Sequence, residues 1–212
     1  MLKSGNPKDK KKPRVCLSIP EDSMKDSVTK HFKFMQALMK VENGIKAGYN
    51  AEEDTWSPHP SPEGGLPTLG YGHKLEQRDI DNGDILVNGR YEPVWGLPDD
   101  LVIALFHEDV KESEGRAVNE WNKHRPAHGL SWEWLPIKYR CVLVNLVFNL
   151  GSLAPGGNLK WPSLFKAIAN EYDLEVRRQM VTSYKRPDGV RIKLTKRADQ
   201  IADAVGLSTI VS

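Results

Sequence analysis

The chain has 212 residues, 39% of them hydrophobic and 27% charged, with a net charge of +2. That length suits one domain or two small lobes around a sizeable core, and so small a net charge argues against nucleic acid as a partner. No run approaches the ~18 apolar residues of a membrane span, so no stable membrane insertion is expected. Cys16 and Cys141 are too few for a disulfide framework, and no Cys/His spacing suggests a metal.

Residues 1–27 read as a basic arm, in whose first fourteen positions Lys3, Lys8, Lys10, Lys11, Lys12 and Arg14 face Asp9 alone. A flexible, solvated segment is expected there, with attraction to an anionic envelope polymer or lipid headgroups as the sharper alternative. The run Val15–Pro20 is too short for the apolar core of a secretory leader, so folding in a cytoplasm is expected. Val28, Phe32, Met35, Leu38, Met39 and Val41 recur at helical spacing and predict a helix reaching Glu42, with Asn43-Gly44 as its stop. Residues 44–95, rich in Gly, Pro, Asp and Asn, predict a small hairpin lobe with strand-like runs at Thr68–Tyr71 and Ile85–Val87. Within it, the three prolines of Trp56–Pro62 exclude both a helix and a central strand.

A helix is predicted from Pro98 to about Trp121, then a Trp- and Pro-rich connection to Pro136. Ile137–Leu150 is apolar on nearly every face and predicts a central helix buried by its neighbours, with Cys141 as a small buried hydrophobe. Two or three further helices are expected within 161–184 and 193–205. The class is therefore α+β: a domain over 28–212, with a β-rich lobe at 44–95 and a helical lobe at 98–207.

Two separated blocks resemble the T-even type of phage lysozyme. Glu42 through His73, ending in Thr68-Leu69-Gly70-Tyr71-Gly72-His73, is similar to that family's catalytic segment. Arg140–Gly151, with Asn145, Phe148, Asn149 and Gly151, is similar to its central helix. Leu105–Val110 and the basic segment Leu194–Ala198 add two weaker matches in the right order. The resemblance implies a lysozyme-like fold and a muramidase that needs no cofactor. It would act as a monomer on peptidoglycan glycan strands. An endolysin stored in the host cytoplasm and released through a separate membrane pore fits the lack of a leader.

Glycoside cleavage uses one carboxyl group as acid and a second group that activates water or stabilises the cationic sugar. Glu42 matches the acid, and partial burial beside Met39 and Val41 would favour its protonated form. Thr68 matches the residue that orients the attacking water. His73 matches a structural histidine, and Asp109 stands where its partner is expected, so an ion pair between them is predicted. The second acid fits poorly. The family places eight residues, then Asp or Cys, then five residues before Thr, whereas 25 residues separate Glu42 from Thr68 here. Counting inward from each end reaches Ala51 and Pro62, neither of which can serve. Asp54 is the first choice among the carboxylates Glu52, Glu53, Asp54 and Glu63, with Glu63 a close rival and His59 a more distant one. Asn149 and Tyr184 match cleft positions, whereas Asn145 is expected to cap or bridge core backbone. Trp121, Trp132 and Trp134 are expected to pack between lobes, with a wall for a glycan strand as the alternative.

A lytic transglycosylase, needing one acid/base, and a glycan-binding virion protein that lost its chemistry are the alternative readings.

Overall fold

The computed structural model describes residues 27–61, 64–185 and 189–208. The amphipathic run after the basic arm divides in two: a single 3-10 turn over Val28–Lys30, then helix α1 over Phe32–Asn43. The break falls at His31, whose ring accepts the Phe34 amide at 3.2 Å and so caps α1. Phe34, Met35 and Leu38 turn inward from α1.

Short strands follow, as the Gly- and Pro-rich composition requires. Strands β1 (Tyr49–Asn50) and β2 (Thr55–Trp56) form a hairpin, to which β7 (Leu97–Pro98) adds antiparallel. Strands β3 (Thr68–Leu69) and β4 (His73–Lys74) form a second pair, with Thr68 opposite Lys74 and Leu69 opposite His73. Helix α2 (Gln77–Asn82) starts with a reciprocal capping box between Glu76 and Asp79. It leads into the hairpin β5 (Asp84–Val87) and β6 (Arg90–Pro93).

Helix α3 spans Asp99–His124, three residues beyond the expected end. Asp99 and Asp100 in its first turn, and Lys123 and His124 in its last, complement its dipole. At ~1.5 Å per residue it runs roughly 39 Å. It packs on β2, β4 and β5 at one end and on α4 (Ile137–Leu150) along its length. Every residue from Tyr139 to Val147 in α4 is buried, the polar Arg140 and Asn145 included. Burial pushes the Cys141 thiol above its ordinary range, so it behaves as a packed hydrophobe. Helices α5 (Pro162–Ala169) and α6 (Asp173–Gln179) follow, then an unforeseen hairpin of β8 (Ser183–Lys185) and β9 (Arg191–Lys193), then α7 (Thr195–Ala204). The fold is α+β, with hairpins before α3 and mostly helices after it.

A chain of rings joins the two parts. Tyr49, Trp56, Tyr71, Phe106 and Phe148 follow one another with centroids 5.0, 5.1, 5.8 and 5.8 Å apart, tilted or edge-on. Trp121 is fully buried against Phe165 and Trp132 is nearly so, whereas Trp134 is 56% exposed. No helix among the described residues is long and apolar enough to cross a membrane.

Candidate active site

The last turn of α1 presents Glu42, and the packing of α1 on α7 brings Arg197 to it. Arg197 Nη2 stands 2.5 Å from Glu42 Oε1, with the two side chains only 11% and 15% exposed. The approach is close but off-axis, so the buried Oε1 has a cation beside it and no aligned donor. The same Nη2 donates to Asn145 Oδ1 at 3.1 Å. Asn145, 2% exposed, is thereby tied to the Glu42–Arg197 pair.

The turn between β3 and β4 closes over this pair. Gly72 has φ +90°, and a Cβ there would lie 3.1 Å from Glu42 Oε2 and 3.5 Å from Phe148 Cε1. Only glycine admits both the conformation and the approach. Gly70, at φ +59°, is equally constrained, since its Cβ would meet Val102 Cγ1 at 2.2 Å. Asn43, read from the sequence as a helix stop, also pins this turn. Its Nδ2 donates to Gly70 O at 2.9 Å and to Ala47 O at 3.0 Å, and its Oδ1 accepts the Ala47 amide at 2.8 Å.

Thr68 is 6% exposed. His59 pairs with it across an isolated antiparallel bridge, His59 N to Thr68 O and Thr68 N to His59 O both measuring 2.9 Å. The Thr68 hydroxyl lies 3.3 Å from Nε2 and 3.4 Å from Nδ1 of the His59 ring. His59 Nε2 in turn is 3.4 Å from Asn43 Nδ2. Glu42 and Thr68 are therefore connected through Asn43, Gly70 and His59.

Asp54 is elsewhere. It occupies the β1–β2 turn at φ +54°, accepts the Tyr49 hydroxyl at 2.6 Å, and its carbonyl accepts the Asp99 amide at 3.2 Å. That carboxylate hydrogen bond pushes the Tyr49 phenol up to about 12. None of these contacts reaches Glu42 or Thr68, and Glu52 and Glu53 are exposed in the same turn. Glu63 lies outside the described residues, as does Cys16. Tyr184 is in β8, opposite Ile192, and its side chain is outside the description.

The predicted pair forms: His73 Nδ1 is 2.9 Å from Asp109 Oδ2 and 3.1 Å from Oδ1. Burial opposes a charge on His73, but the Asp109 hydrogen bond and charge prevail, and its pKa is raised. The pair lines a cleft of about 790 Å³ together with Gly72, Phe148, Asn149 and Gly151. Asn149 donates to Thr182 Oγ1 at 3.1 Å from that wall.

Arg197 lay within the basic segment singled out in the sequence, but its pairing with Glu42 depends on helices 155 positions apart and left no local signal. No protein-family model and no curated protein sequence matches the chain. Among solved structures, it is similar to the muramidase domain of SpmX from Asticaccaulis excentricus. That likeness has 16% identity and a TM-score of 0.43, and covers 81% of this chain and 94% of that one.

Proposed function

We propose that this protein is a muramidase that hydrolyses the bond between N-acetylmuramic acid and N-acetylglucosamine, serving as an endolysin against a bacterial wall. The observation that carries the reading is the buried Glu42–Arg197 pair beneath Gly72, set behind the cleft edge that Gly72 and Phe148 form. Glu42 passes its proton to the leaving oxygen as the bond to the sugar's C1 breaks. The carboxylate so produced lies against the Arg197 guanidinium, which stabilises charge exactly where it develops on the enzyme without further rearrangement. Thr68 holds the water that attacks C1. The resemblance of Thr68–His73 to the lysozyme segment supports these roles.

Glycan products from purified peptidoglycan test the proposal. Reducing N-acetylmuramic acid ends are expected. Anhydro-muramic ends would make the protein a transglycosylase, and wall binding without any cleavage would leave it a glycan-binding protein.

A further inference from the structure

We infer that the outer face of the β5–β6 hairpin is a platform that holds the glycan strand outside the cleft, on the rings of Trp95 and Tyr91. The identity of the strand rests on the muramidase reading above. The hairpin turns through Asn88 and Gly89, at φ +51° and +76°, the pair of positive angles that a tight two-residue connection needs. Strand alternation then divides its residues. Ile85, Val87 and Val94 are buried in the core, while Leu86, Tyr91, Pro93 and Trp95 share the opposite side. Leu86 stands directly across from Tyr91 in the ladder. That side is open: Leu86 is 48%, Trp95 53% and Tyr91 70% exposed.

The face continues the cleft. Glu76 lines the cleft and caps the start of α2, and Gly83 caps its end. The Gly83 carbonyl accepts the Val94 amide at 3.1 Å, and the edge of the Trp95 ring lies against Gly83, where a Cβ would be 3.7 Å from Cζ3. At ~1.5 Å per residue α2 is about 9 Å long, so Trp95 stands one short helix away from the cleft edge. Tyr91 follows on the order of 10 Å further along the strand. A glycan cut within its length extends past the cleft, and this strip lies beside its way out.

The exposed area selects the occupant. An aromatic side chain buries about 150–250 Å² when covered, so two part-exposed rings and a leucine offer roughly 400 Å². A stable protein partner or a second copy covers about 800 Å² on each side. A single polysaccharide strand needs only a narrow strip. A pyranose ring sets its C–H face on an aromatic ring and keeps its hydroxyls at the edge, which suits the apolar body and polar tip of Trp and Tyr. Asp84, across from Pro93 on the same side, offers a carboxylate to those hydroxyls.

The test measures sedimentation of the full chain with purified peptidoglycan, in a Glu42→Gln background that keeps the polymer intact. Tyr91→Ala with Trp95→Ala should weaken binding about 10–100-fold. Tyr91→Phe with Trp95→Phe, which keeps both rings, should bind within a few-fold of the parent, and so should Tyr172→Ala, which removes an exposed ring elsewhere. With Glu42 restored, the double alanine variant should show a raised KM on whole peptidoglycan at unchanged kcat, and unchanged kinetics on a short soluble fragment that fills only the cleft. Undiminished sedimentation of the double alanine variant would overturn the platform and leave the muramidase reading intact. So would a wild-type self-association that the same variant abolishes, because the face would then join two copies. Wild-type binding without cleavage, weakened by the double variant, would support the platform and overturn the muramidase reading alone.

Discussion

Replacing Asp109 with Asn removes one charge without changing the shape of the His73 partner. Each side chain of that pair is 22% exposed, so the bond is neither fully screened nor fully buried. A hydrogen bond to a charged group contributes about 1.5–3 kcal/mol, and the partial exposure places this one toward the lower end. A domain of this size loses about 2–4 °C of Tm per kcal/mol, so Asp109→Asn should lower Tm by about 3–8 °C at pH 5.5. The pH dependence carries the stronger test. His73 is raised in the folded state, so its contribution is complete below the unfolded histidine value of about 6.5 and fades as pH rises through the folded value. By pH 9 the gap between variant and wild type should shrink markedly. Glu76 and Asp79 also favour the charged ring, so the variant keeps a residual slope, opposed by burial. Thermal unfolding of both proteins between pH 5.5 and 9 checks this. An equal Tm gap across the range would refute the ion pair as the source of the stability.

The other consequences can be measured one by one. Gly72→Ala puts a Cβ at φ +90° against Glu42 Oε2, and should cost about 1–3 kcal/mol in denaturant unfolding. Its cleavage rate should fall even where it is fully folded; wild-type kinetics would show that the close approach is unimportant. Gly70→Ala forces a contact with Val102 Cγ1, so Val102→Ala should relieve part of its cost, with a coupling of about 0.5–3 kcal/mol in a double-mutant cycle. Strict additivity would contradict the contact. Burial opposes the charge on Asp173, but Lys138 at 2.8 Å and the Tyr139 hydroxyl at 2.7 Å hold its carboxyl below the usual range. Its stabilisation is present above the unfolded value of about 3.9 and is lost as pH falls through the folded value. Acid unfolding of Asp173→Asn should therefore be shallower than that of wild type below about pH 4, and an identical acid limb would refute the assignment.

What was legible in the sequence was what local pattern encodes. The all-round apolarity of Ile137–Leu150 determines a buried helix wherever it packs, and α4 has those bounds. His73 was matched to Asp109 by its place in the pattern, and the two form the expected pair. The break at His31 was hidden because a side-chain cap, and not a change in periodicity, produces it. The β8–β9 hairpin is largely polar and its strands are only three residues each, too short for their alternation to signal a strand. His59 was obscured by its neighbours: Pro58 and Pro60 have no N–H, which excludes a strand but leaves His59 alone able to donate, giving a one-residue bridge to Thr68. Asp54 was favoured by residue type and by a place on the outgoing hairpin strand, whereas it sits in the β1–β2 turn and accepts from Tyr49. Arg197 meets Glu42 only through the packing of the first helix on the last.

The most direct measurement is the release of reducing N-acetylmuramic acid ends by Glu42→Gln beside wild type, at a temperature where thermal unfolding shows both to be folded. Gln keeps the shape of the side chain and removes its transferable proton. If Glu42 is the acid, the variant should lose at least about 10²-fold in kcat. Cleavage within a few-fold of wild type would contradict the assignment of Glu42 and the account built on it.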